Sequence, residues 1–310
     1  MRGLDILVWC ALAAMPFWIE AMGGYKELAS HILVMGLAAM ALNILLGFTG
    51  VLSFGHAAYF GIGAYGAAMG IKYLGLGTIP AIGVGVLAGV VAAALIGALI
   101  VKRRGVYFAM VTIAFGQVFY FIAFRWNSIT GGDDGLADWH RLPLDFGPFR
   151  VDIFKNDTAF YYFVFAIFVI CVALMAALLN SPLGRSFVAI RENERRARFL
   201  GVPIEFHIWL SFVISCFFVS IAGALFALLN NFTDPRALRF DLSGNLVIMS
   251  VLGGMRSFWG PLIGAAVFVA VQDYVSSHTE NWMSVIGLMF ILIVRFFPRG
   301  VLGLLRGASA

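Results

Sequence analysis

Ten long apolar segments follow one another along the chain, separated by short polar stretches. They span approximately residues 5–22, 29–47, 54–70, 79–101, 106–125, 158–180, 207–230, 242–254, 260–276 and 282–297. Each is apolar on every side, whereas a helix on the surface of a soluble protein carries one apolar stripe. Because a helix needs about 20 apolar residues to cross a bilayer, the pattern predicts an all-α integral membrane protein, a polytopic bundle of about ten transmembrane helices.

The composition supports a membrane location. Of the 310 residues, 62% are hydrophobic and 12% are charged, whereas soluble domains usually carry about 25% charged residues. The apolar segments leave no stretch long enough for a soluble domain, so we expect residues 1–310 to form a single transmembrane domain. The net charge of +5 comes from basic residues between the segments, where such residues orient membrane helices, and we expect no nucleic-acid partner.

The positions of lysine and arginine predict the orientation of the helices. With a cytoplasmic N-terminus and ten crossings, the two densest basic clusters, at 102–104 and between 185 and 198, lie on the same side of the membrane. Cytoplasmic loops of membrane proteins are enriched in Lys and Arg. We therefore expect a multi-pass protein whose N-terminus and C-terminus are both cytoplasmic.

The first and the eighth apolar segments are the least regular. In the first, Asp5 interrupts the basic start typical of a signal peptide, and apolar residues continue past Ala13 to Ile19. We therefore expect this segment to be retained as a helix. Residues 242–254 are short for a full crossing, so a broken or re-entrant helix is an alternative there.

Small residues recur every four positions in the fourth segment. They are Gly85, Gly89, Ala93 and Gly97. This spacing lets helix backbones approach closely in lipid. It predicts a packed bundle and indicates no specific function.

The longest loop predicted to lie outside, residues 127–157, is acidic. It contains a turn-forming stretch at 130–135, and six aspartates occupy positions 133, 134, 138, 145, 152 and 157. Two interpretations are open. The loop is either an ordered external cap that an extracytoplasmic partner contacts, or a solvated connection.

Motifs of soluble enzymes are absent or out of context. Residues 61–66 fit the dinucleotide pattern G-x-G-x-x-G, but they lie in an apolar segment, and no Asp or Glu occurs from residue 28 to residue 132. The phosphate-binding pattern G-x-x-x-x-G-K-S/T is missing, so if ATP drives this protein, another subunit hydrolyses it. Cys10, Cys171 and Cys216 lack metal-type spacing and are expected to be small buried hydrophobes. We expect this chain to bind no cofactor and no metal.

The loop at 181–206 is the most informative polar segment. Pro182 opens it, Gly201 and Pro203 close it, and five arginines and two glutamates accompany an apolar stripe. This pattern predicts a short cytoplasmic helix between two crossings. Its arginines either bind lipid headgroups, or the helix docks into a cytoplasmic partner.

This loop resembles the coupling loop of ABC importer permeases, in which a Glu-Ala-Ala pattern and a following Gly sit in a groove of the ATPase. Glu194, Ala197 and Gly201 match that pattern, and Arg196 stands where a small residue is commoner. Further stretches resemble permeases of branched-chain amino acid importers of the LivM type. These are residues 46–65, 105–117, 130–136, 251–261 and 297–303.

The resemblance implies a permease domain with a type II-like ABC importer fold in the bacterial inner membrane, and no enzymatic site of its own. This chain and a second homologous permease would form the pathway by alternating access. Two ABC ATPase subunits would use ATP beneath them, and a periplasmic substrate-binding protein would deliver the substrate. The expected ATPase-coupling residues are Arg191, Glu192, Glu194, Ala197 and Gly201. The substrate would be leucine, isoleucine or valine, or, as in related systems, urea, an amide or an aromatic acid.

Polar side chains inside apolar segments are costly in lipid, and this makes them candidates for the translocation pathway. The candidates are Ser53, His56, Thr112, Gln117 and Asn245. Neutral hydrogen-bonding groups of this kind are able to guide a zwitterionic amino acid. For His56, Gln117 and Asn245 the alternative is a hydrogen bond that holds two helices together.

Two functions of other classes remain as alternatives. An ion-coupled secondary transporter usually needs a carboxylate within the membrane, and the candidates, Glu20 and Asp273, lie near segment ends. An intramembrane serine hydrolase using Ser53 and His56 would need an oxyanion site and a third orienting group. The sequence contains no motif for either.

Overall fold

The structure, a computed structural model, describes residues 2–21, 23–137, 139, 141–145, 150–151, 153–296 and 300. Helices make up most of this part of the chain. They are α1 Arg2–Ala13, α2 Met15–Ala21, α3 Lys26–Asn43, α4 His56–Lys72, α5 Thr78–Ile100, α6 Val106–Arg125, α7 Asn127–Thr130, α8 Asp157–Asn180, α9 Pro182–Glu192, α10 Glu194–Phe199, α11 Ile204–Asn230, α12 Phe240–Gly253, α13 Gly260–Ser276 and α14 Trp282–Phe296. A π-helical stretch, Ile44–Thr49, continues α3.

The remaining regular structure is short. The 3₁₀ turns are Gly132–Asp134, Ile153–Lys155 and Pro235–Leu238. Two two-residue strands, β1 Leu144–Asp145 and β2 Arg150–Val151, pair antiparallel within the loop at 127–157. The aspartates at 138 and 152, and the stretch at 297–303 apart from Gly300, lie outside the described residues.

Five helices are long and apolar enough to cross a membrane: α3 with its π-helical extension, α5, α6, α8 and α11. Three further apolar helices, α12, α13 and α14, are shorter. The prediction of a helical membrane protein with several apolar spans is therefore confirmed. The number ten remains a prediction.

The connections gather at two opposite ends of the bundle. At one end, which we call the arginine-rich end, the loop at 101–105 contacts the segment at 181–206 through the Arg104–Glu194 ion pair. At the other, the loop end, Lys72 Nζ donates to the carbonyl oxygen of Ala137 at 2.7 Å. The backbones of Leu136 and Thr233 also pair there. Successive helices thus alternate in direction.

Helices α3 and α11 form the centre of the bundle. Most of their residues are buried inside the protein, whereas α5, α6 and α8 bury only a minority of theirs. The outward faces of these three helices are apolar, and Leu87, Leu95 and Leu99 of α5 are each more than half exposed. Surfaces of this kind suit contact with lipid chains rather than water.

Small residues allow the central helices to approach closely. The Cα atom of Gly85 lies where a Cβ on Gly66 would have to be placed, 2.6 Å away, and Gly223 packs directly on the backbone of Phe60. These contacts join α5 and α11 to α4. The small-residue spacing seen in the sequence therefore marks helix contacts, as predicted.

The first apolar segment differs from the expected single helix, because it divides at Ala14 into α1 and α2. Pro16 follows the break and has no N–H to donate to the preceding turn. The expectation of buried cysteines holds for Cys171 and Cys216, but Cys10 of α1 is exposed. In a membrane protein an apolar position often faces lipid rather than the protein interior.

The eighth apolar segment forms a regular helix. Its 14 residues, Phe240–Gly253, correspond to about 21 Å at 1.5 Å per residue, which is shorter than a hydrocarbon core of about 30 Å. A break occurs only at its end, where Gly254 has a φ of 111°.

Candidate functional site

A chain of hydrogen bonds passes through the buried centre of the protein at His56. The ring atom Nδ1 lies 3.0 Å from the Ser53 hydroxyl, and Nε2 lies 2.9 Å from the hydroxyl of Ser215 in α11. The Ser215 hydroxyl donates to the carbonyl oxygen of Ala41 in α3 at 2.7 Å. All three polar side chains are fully buried.

This network assigns the tautomer of His56. Because the one hydroxyl proton of Ser215 is donated to Ala41, Ser215 is able only to accept from the ring, so the proton lies on Nε2. Nδ1 then accepts from Ser53. The imidazole is neutral and uses both nitrogens, which fits the interhelical role that the sequence left open.

Thr112 of α6 joins the same region. Its hydroxyl accepts from the backbone N–H of Phe54 at 3.2 Å and donates to the carbonyl oxygen of Ala109 at 2.7 Å. Gly55 packs on the backbone of Thr112, where a Cβ would meet the carbonyl oxygen at 2.6 Å. The turn before α4 is therefore fixed against α6.

The other two pathway candidates lie elsewhere. Gln117 is half-buried on α6, and its side chain makes no hydrogen bond to the residues that the structure describes. Asn245 of α12 lines a cavity at the loop end. The structure thus brings Ser53, His56 and Thr112 together, and among the described residues no side-chain hydrogen bond joins Gln117 or Asn245 to them.

The segment at 181–206 forms two helices rather than the one expected. Asn193 separates them, because its backbone is extended and its side chain accepts from the Arg196 N–H at 2.9 Å, capping α10. Ser181 caps α9 in the same way. Gly201, just after α10, has a φ of 84°, a conformation that favours glycine.

Four charged residues form an ion cluster at the arginine-rich end. Glu194 Oε1 lies 3.5 Å from Arg104 and 3.3 Å from Arg198, and Glu205 Oε1 lies 3.5 Å and 3.1 Å from the same two arginines. Arg104 belongs to the loop before α6, and Glu205 begins α11. The cluster therefore connects the segment at 181–206, which we call the coupling segment after its predicted role, to the loop before α6 and to α11.

The remaining coupling candidates anchor the segment in different ways. Ala197 is buried in a small apolar cluster with Val101 and Ile208. Arg191 donates to the carbonyl oxygen of Gly47 in the π-helical stretch, whereas Glu192 and Gly201 are exposed. The buried contacts hold the segment against the bundle, and its outer surface remains available.

Two large apolar side chains stand out on that surface. Phe199 is 91% exposed and Leu200 is 76% exposed. Both lie at the arginine-rich end, in a segment that contains five arginines. Neither residue was predicted from the sequence to have a function. Two adjacent apolar residues within a run of charges were the signal that could have found them.

A cavity of about 500 Å³ opens at the loop end. Its lining comes from the start of α3, the ends of α11 and α13, the start of α12, and Arg141 of the long loop. It combines polar groups, among them Asn245 and Gln272, with apolar ones such as Phe226 and Phe268. Of these residues, Asn245 is among the pathway candidates predicted from the sequence.

Comparison with known proteins decides the family. Residues 24–294 match the family model described as the branched-chain amino acid transport system permease component. The chain belongs to this family. The resemblance drawn from the sequence is thereby confirmed, and the permease is a membrane transport subunit.

Relatives of the permease include proteins of both bacteria and an archaeon. The high-affinity branched-chain amino acid transport system permease protein LivM of Salmonella typhimurium is 28% identical over 94% of this chain and 73% of its own length. The probable branched-chain amino acid transport permease protein LivM of Methanocaldococcus jannaschii is 24% identical over 86% and 89%. The permease protein LivH of Salmonella typhimurium is 26% identical over 86% and 90%. No solved structure matches the permease significantly.

The partners of the predicted residues could not be selected from the sequence. Ser215 is separated by 159 residues from His56, and Arg104 by 90 residues from Glu194. Ser215 is one of several serines in apolar segments, so the sequence alone does not identify it as the partner of His56. The charge pattern offered one usable signal, because Arg104 and Glu205 border apolar segments on the same predicted side.

Proposed function

We propose that this permease, together with a second homologous permease, forms the translocation pathway of an ATP-driven, binding-protein-dependent importer of branched-chain amino acids. The observation that carries the proposal is the match of residues 24–294 to a permease component. The likeness to both LivM and LivH supports a pair of related permeases. This chain is therefore similar in sequence to permeases of both types.

We further propose a type II-like fold of ten crossings in a bacterial inner membrane, with α1 and α2 together making the first. The shorter helices α4, α12, α13 and α14 would complete the set with the five long ones. Helix α4 has 17 residues, or about 26 Å, which approaches the thickness of a hydrocarbon core. The arginine-rich end would face the cytoplasm, as would both termini.

The assembled importer would contain two ABC ATPase subunits, one beneath each permease, and the coupling segment of this chain would dock on the one beneath it. Phe199 and Leu200 project from it, and Glu192 and Gly201 of the same segment are exposed as well. An apolar anchor with a polar rim is typical of protein interfaces. ATP would be bound and hydrolysed by the partner subunits, and this chain would bind no cofactor.

Movement of the ATPases would reach the pathway through the contacts of α9 and α10. Arg191 connects α9 to the π-helical end of α3, and the ion cluster connects α10 to the loop before α6 and to α11. Closure of the ATPases on ATP would shift these elements together. The bundle would then alternate between states open to either side.

The test is purification of the tagged permease from native membranes, followed by reconstitution of the assembled importer into proteoliposomes with its binding protein. We expect two ATPases and a second permease to co-purify, and leucine uptake to require ATP. Competition by isoleucine and valine, but not by urea, amides or aromatic acids, would define the substrate class. Recovery of the chain without ATPases after crosslinking, or uptake driven by an ion gradient alone, would overturn the proposal.

A further inference from the structure

The cavity at the loop end, hereafter the chamber, is large enough for a small solute. Its volume of about 500 Å³ falls within the range of about 300–1,000 Å³ that ligand sites occupy. A neighbouring cavity of about 420 Å³ shares Met35, Phe226, Asn230 and Leu242 with it. The two cavities therefore adjoin each other at the end of the bundle that we propose faces outward.

One side of the chamber is apolar. Met35 of α3, Phe226 of α11, Leu242 of α12 and Phe268 of α13 contribute side chains from four different helices. This apolar side, hereafter the floor of the chamber, is therefore formed by the packing of several helices rather than by one segment of the chain. Burial of an aliphatic side chain against such a surface is favourable by about 25 cal/mol per Å² of apolar area.

The other side carries polar groups that the protein itself does not use. Glu27, Asn245 and Gln272 line the chamber, and none of their side chains hydrogen-bonds or ion-pairs with any residue in the described part of the chain. Most polar groups of a folded protein have partners in the protein or in water. Three unpaired groups around one cavity are therefore available to a solute.

Arg141 supplies the positive charge. Its Nη2 donates to the carbonyl oxygen of Leu229 at 2.6 Å, and the guanidinium lies over the rings of Phe154 and Phe160, 5.5 and 5.8 Å from their centroids. Its Nε is buried and finds no acceptor among the described residues. The guanidinium is thus held in place while part of its donor set stays unsatisfied.

The charges in the chamber have opposite sign. Burial lowers the pKa of Arg141, and the carboxylates of Glu27 and Asp157 act against that shift. Arg141 is an arginine, so it stays cationic. Glu27 is exposed to the chamber mouth, which leaves one cationic and one anionic group beside an apolar floor.

We infer that the chamber binds a zwitterionic amino acid with an aliphatic side chain during its passage through the permease. Arg141 donates to the carboxylate, Glu27 attracts the ammonium group, and the amides of Asn245 and Gln272 complete the hydrogen bonds. The apolar floor receives the side chain. This inference rests on the proposed function, and it assigns the substrate contact to a place in this chain.

The partial exposure of the charged groups suits transport. A site on a pathway must bind well enough to receive the solute and weakly enough to release it. Charge pairs near water contribute little beyond about 1 kcal/mol, so the chamber would select zwitterions without trapping them. A fully buried ion pair would hold its solute more strongly.

The experiment measures protection of a reporter thiol in the chamber. In the assembled importer without its binding protein, in nanodiscs, the reporter is Leu242→Cys in a background carrying Cys10→Ala, Cys171→Ala and Cys216→Ala. The labelling rate by a water-soluble thiol reagent is measured with leucine, leucinamide or 4-methylpentanoate. These analogues lack the carboxylate and the ammonium group respectively, so they report on Arg141 and Glu27 separately.

We expect leucine to halve the labelling rate at a concentration about tenfold lower than either analogue. Arg141→Gln should remove the preference for leucine over leucinamide, and Glu27→Gln should remove the preference over 4-methylpentanoate. Glu27→Gln tests the inference even if Arg141→Gln disturbs the loop. The matched control is Arg239→Gln, an arginine at the same end that pairs with Asp241 at 2.7 Å outside the chamber lining.

Three results would overturn the inference: equal protection by leucine and its analogues, unchanged preferences in both variants, or a thiol that no reagent reaches. Slower labelling in nanodiscs containing phosphatidylethanolamine than in phosphatidylcholine alone, with no effect of leucine, would assign the chamber to a lipid headgroup and would also overturn it. Proteoliposomes that take up leucine despite such a result would leave the proposed function standing.

Discussion

Nε2 of His56 donates to the Ser215 hydroxyl at 2.9 Å, and this bond joins α4 to α11 where both side chains are fully buried. Ser215 in turn donates to Ala41, so one imidazole connects three helices. In lipid, such bonds hold helices together where no hydrophobic force distinguishes them. We therefore interpret His56 as a structural residue that holds α3, α4 and α11 together.

Replacement of His56 should destabilise the permease. His56→Leu leaves the Ser53 hydroxyl without its acceptor, and a buried unpaired polar group costs about 1–3 kcal/mol. We expect a lower unfolding temperature in detergent, measured by intrinsic fluorescence. The control is Ser186→Ala, because that hydroxyl bonds to Pro182 at an exposed position of α9.

The same variant separates the two roles of His56. A His56→Leu protein that unfolds at the original temperature but no longer supports leucine uptake would contradict the structural role and support a place on the pathway. Retention of both stability and uptake would exclude both roles.

Gly223 should tolerate no side chain. A Cβ at this position would overlap the backbone of Phe60, where α11 contacts α4. Gly223→Ala should therefore separate the two helices and cost several kcal/mol, since overpacking of a core typically costs about 1–3 kcal/mol even where side chains are able to move. The measurement is the yield of monodisperse protein and its unfolding temperature.

Gly83→Ala is the matched control for that substitution. Gly83 lies in α5 with nothing within 4 Å of its potential Cβ, and alanine favours a helix by about 1 kcal/mol over glycine. We expect unchanged or slightly raised stability. Equal effects at positions 223 and 83 would refute the close packing of α4 and α11.

Removal of the exposed apolar pair should weaken attachment of the ATPases. The double variant Phe199→Ser, Leu200→Ser removes apolar anchors that contact no core, so the permease should fold normally. We expect the ATPases to be lost on purification and ATP-dependent uptake to fall at least tenfold. Leu74→Ser, which changes a leucine of similar exposure at the loop end, should retain both; loss of the ATPases there would argue against a specific docking surface.

The ion cluster should contribute modestly and in a salt-dependent way. Glu194→Gln removes pairs to Arg104 and Arg198 that are partly exposed, and such pairs are worth about 1 kcal/mol or less. We expect a small decrease in unfolding temperature that disappears at about 1 M salt, where the Debye length is about 3 Å. Glu280→Gln, an exposed carboxylate outside the cluster, is the control.

The effect of Glu194→Gln on coupling should exceed its effect on stability. The cluster connects the coupling segment to two other elements, so its loss should lower the amount of leucine transported per ATP hydrolysed. A ratio that stays unchanged in proteoliposomes would show that Arg191 and the apolar contacts of Ala197 transmit the movement without the cluster.

Much of this protein followed from its sequence. Membrane helices form almost independently of each other, because in lipid every backbone polar group must be satisfied within its own helix. The apolar segments therefore predicted the helices to within a few residues, from α3 at Lys26 to α11 ending at Asn230. The family was also apparent, since its motifs are continuous stretches.

The helices differ from the prediction where a single residue interrupts a segment that otherwise favours one continuous helix. Pro16 follows the break that divides the first segment into two helices. Asn193 divides the coupling segment, because its backbone is extended and its side chain caps α10 instead of continuing α9. The π-helical stretch after Asn43 had no recognisable sequence signal. Such departures depend on single hydrogen bonds rather than on periodicity.

The sequence by itself determined that the chain is a helical membrane permease, because hydropathy and local motifs suffice for that. Only the tertiary structure decided which polar residues act together. It paired His56 with Ser215 and Glu194 with Arg104, and it placed Arg141 beside Glu27 at one chamber. The physical reason is that these contacts join residues far apart in the chain, and their geometry depends on how the helices pack.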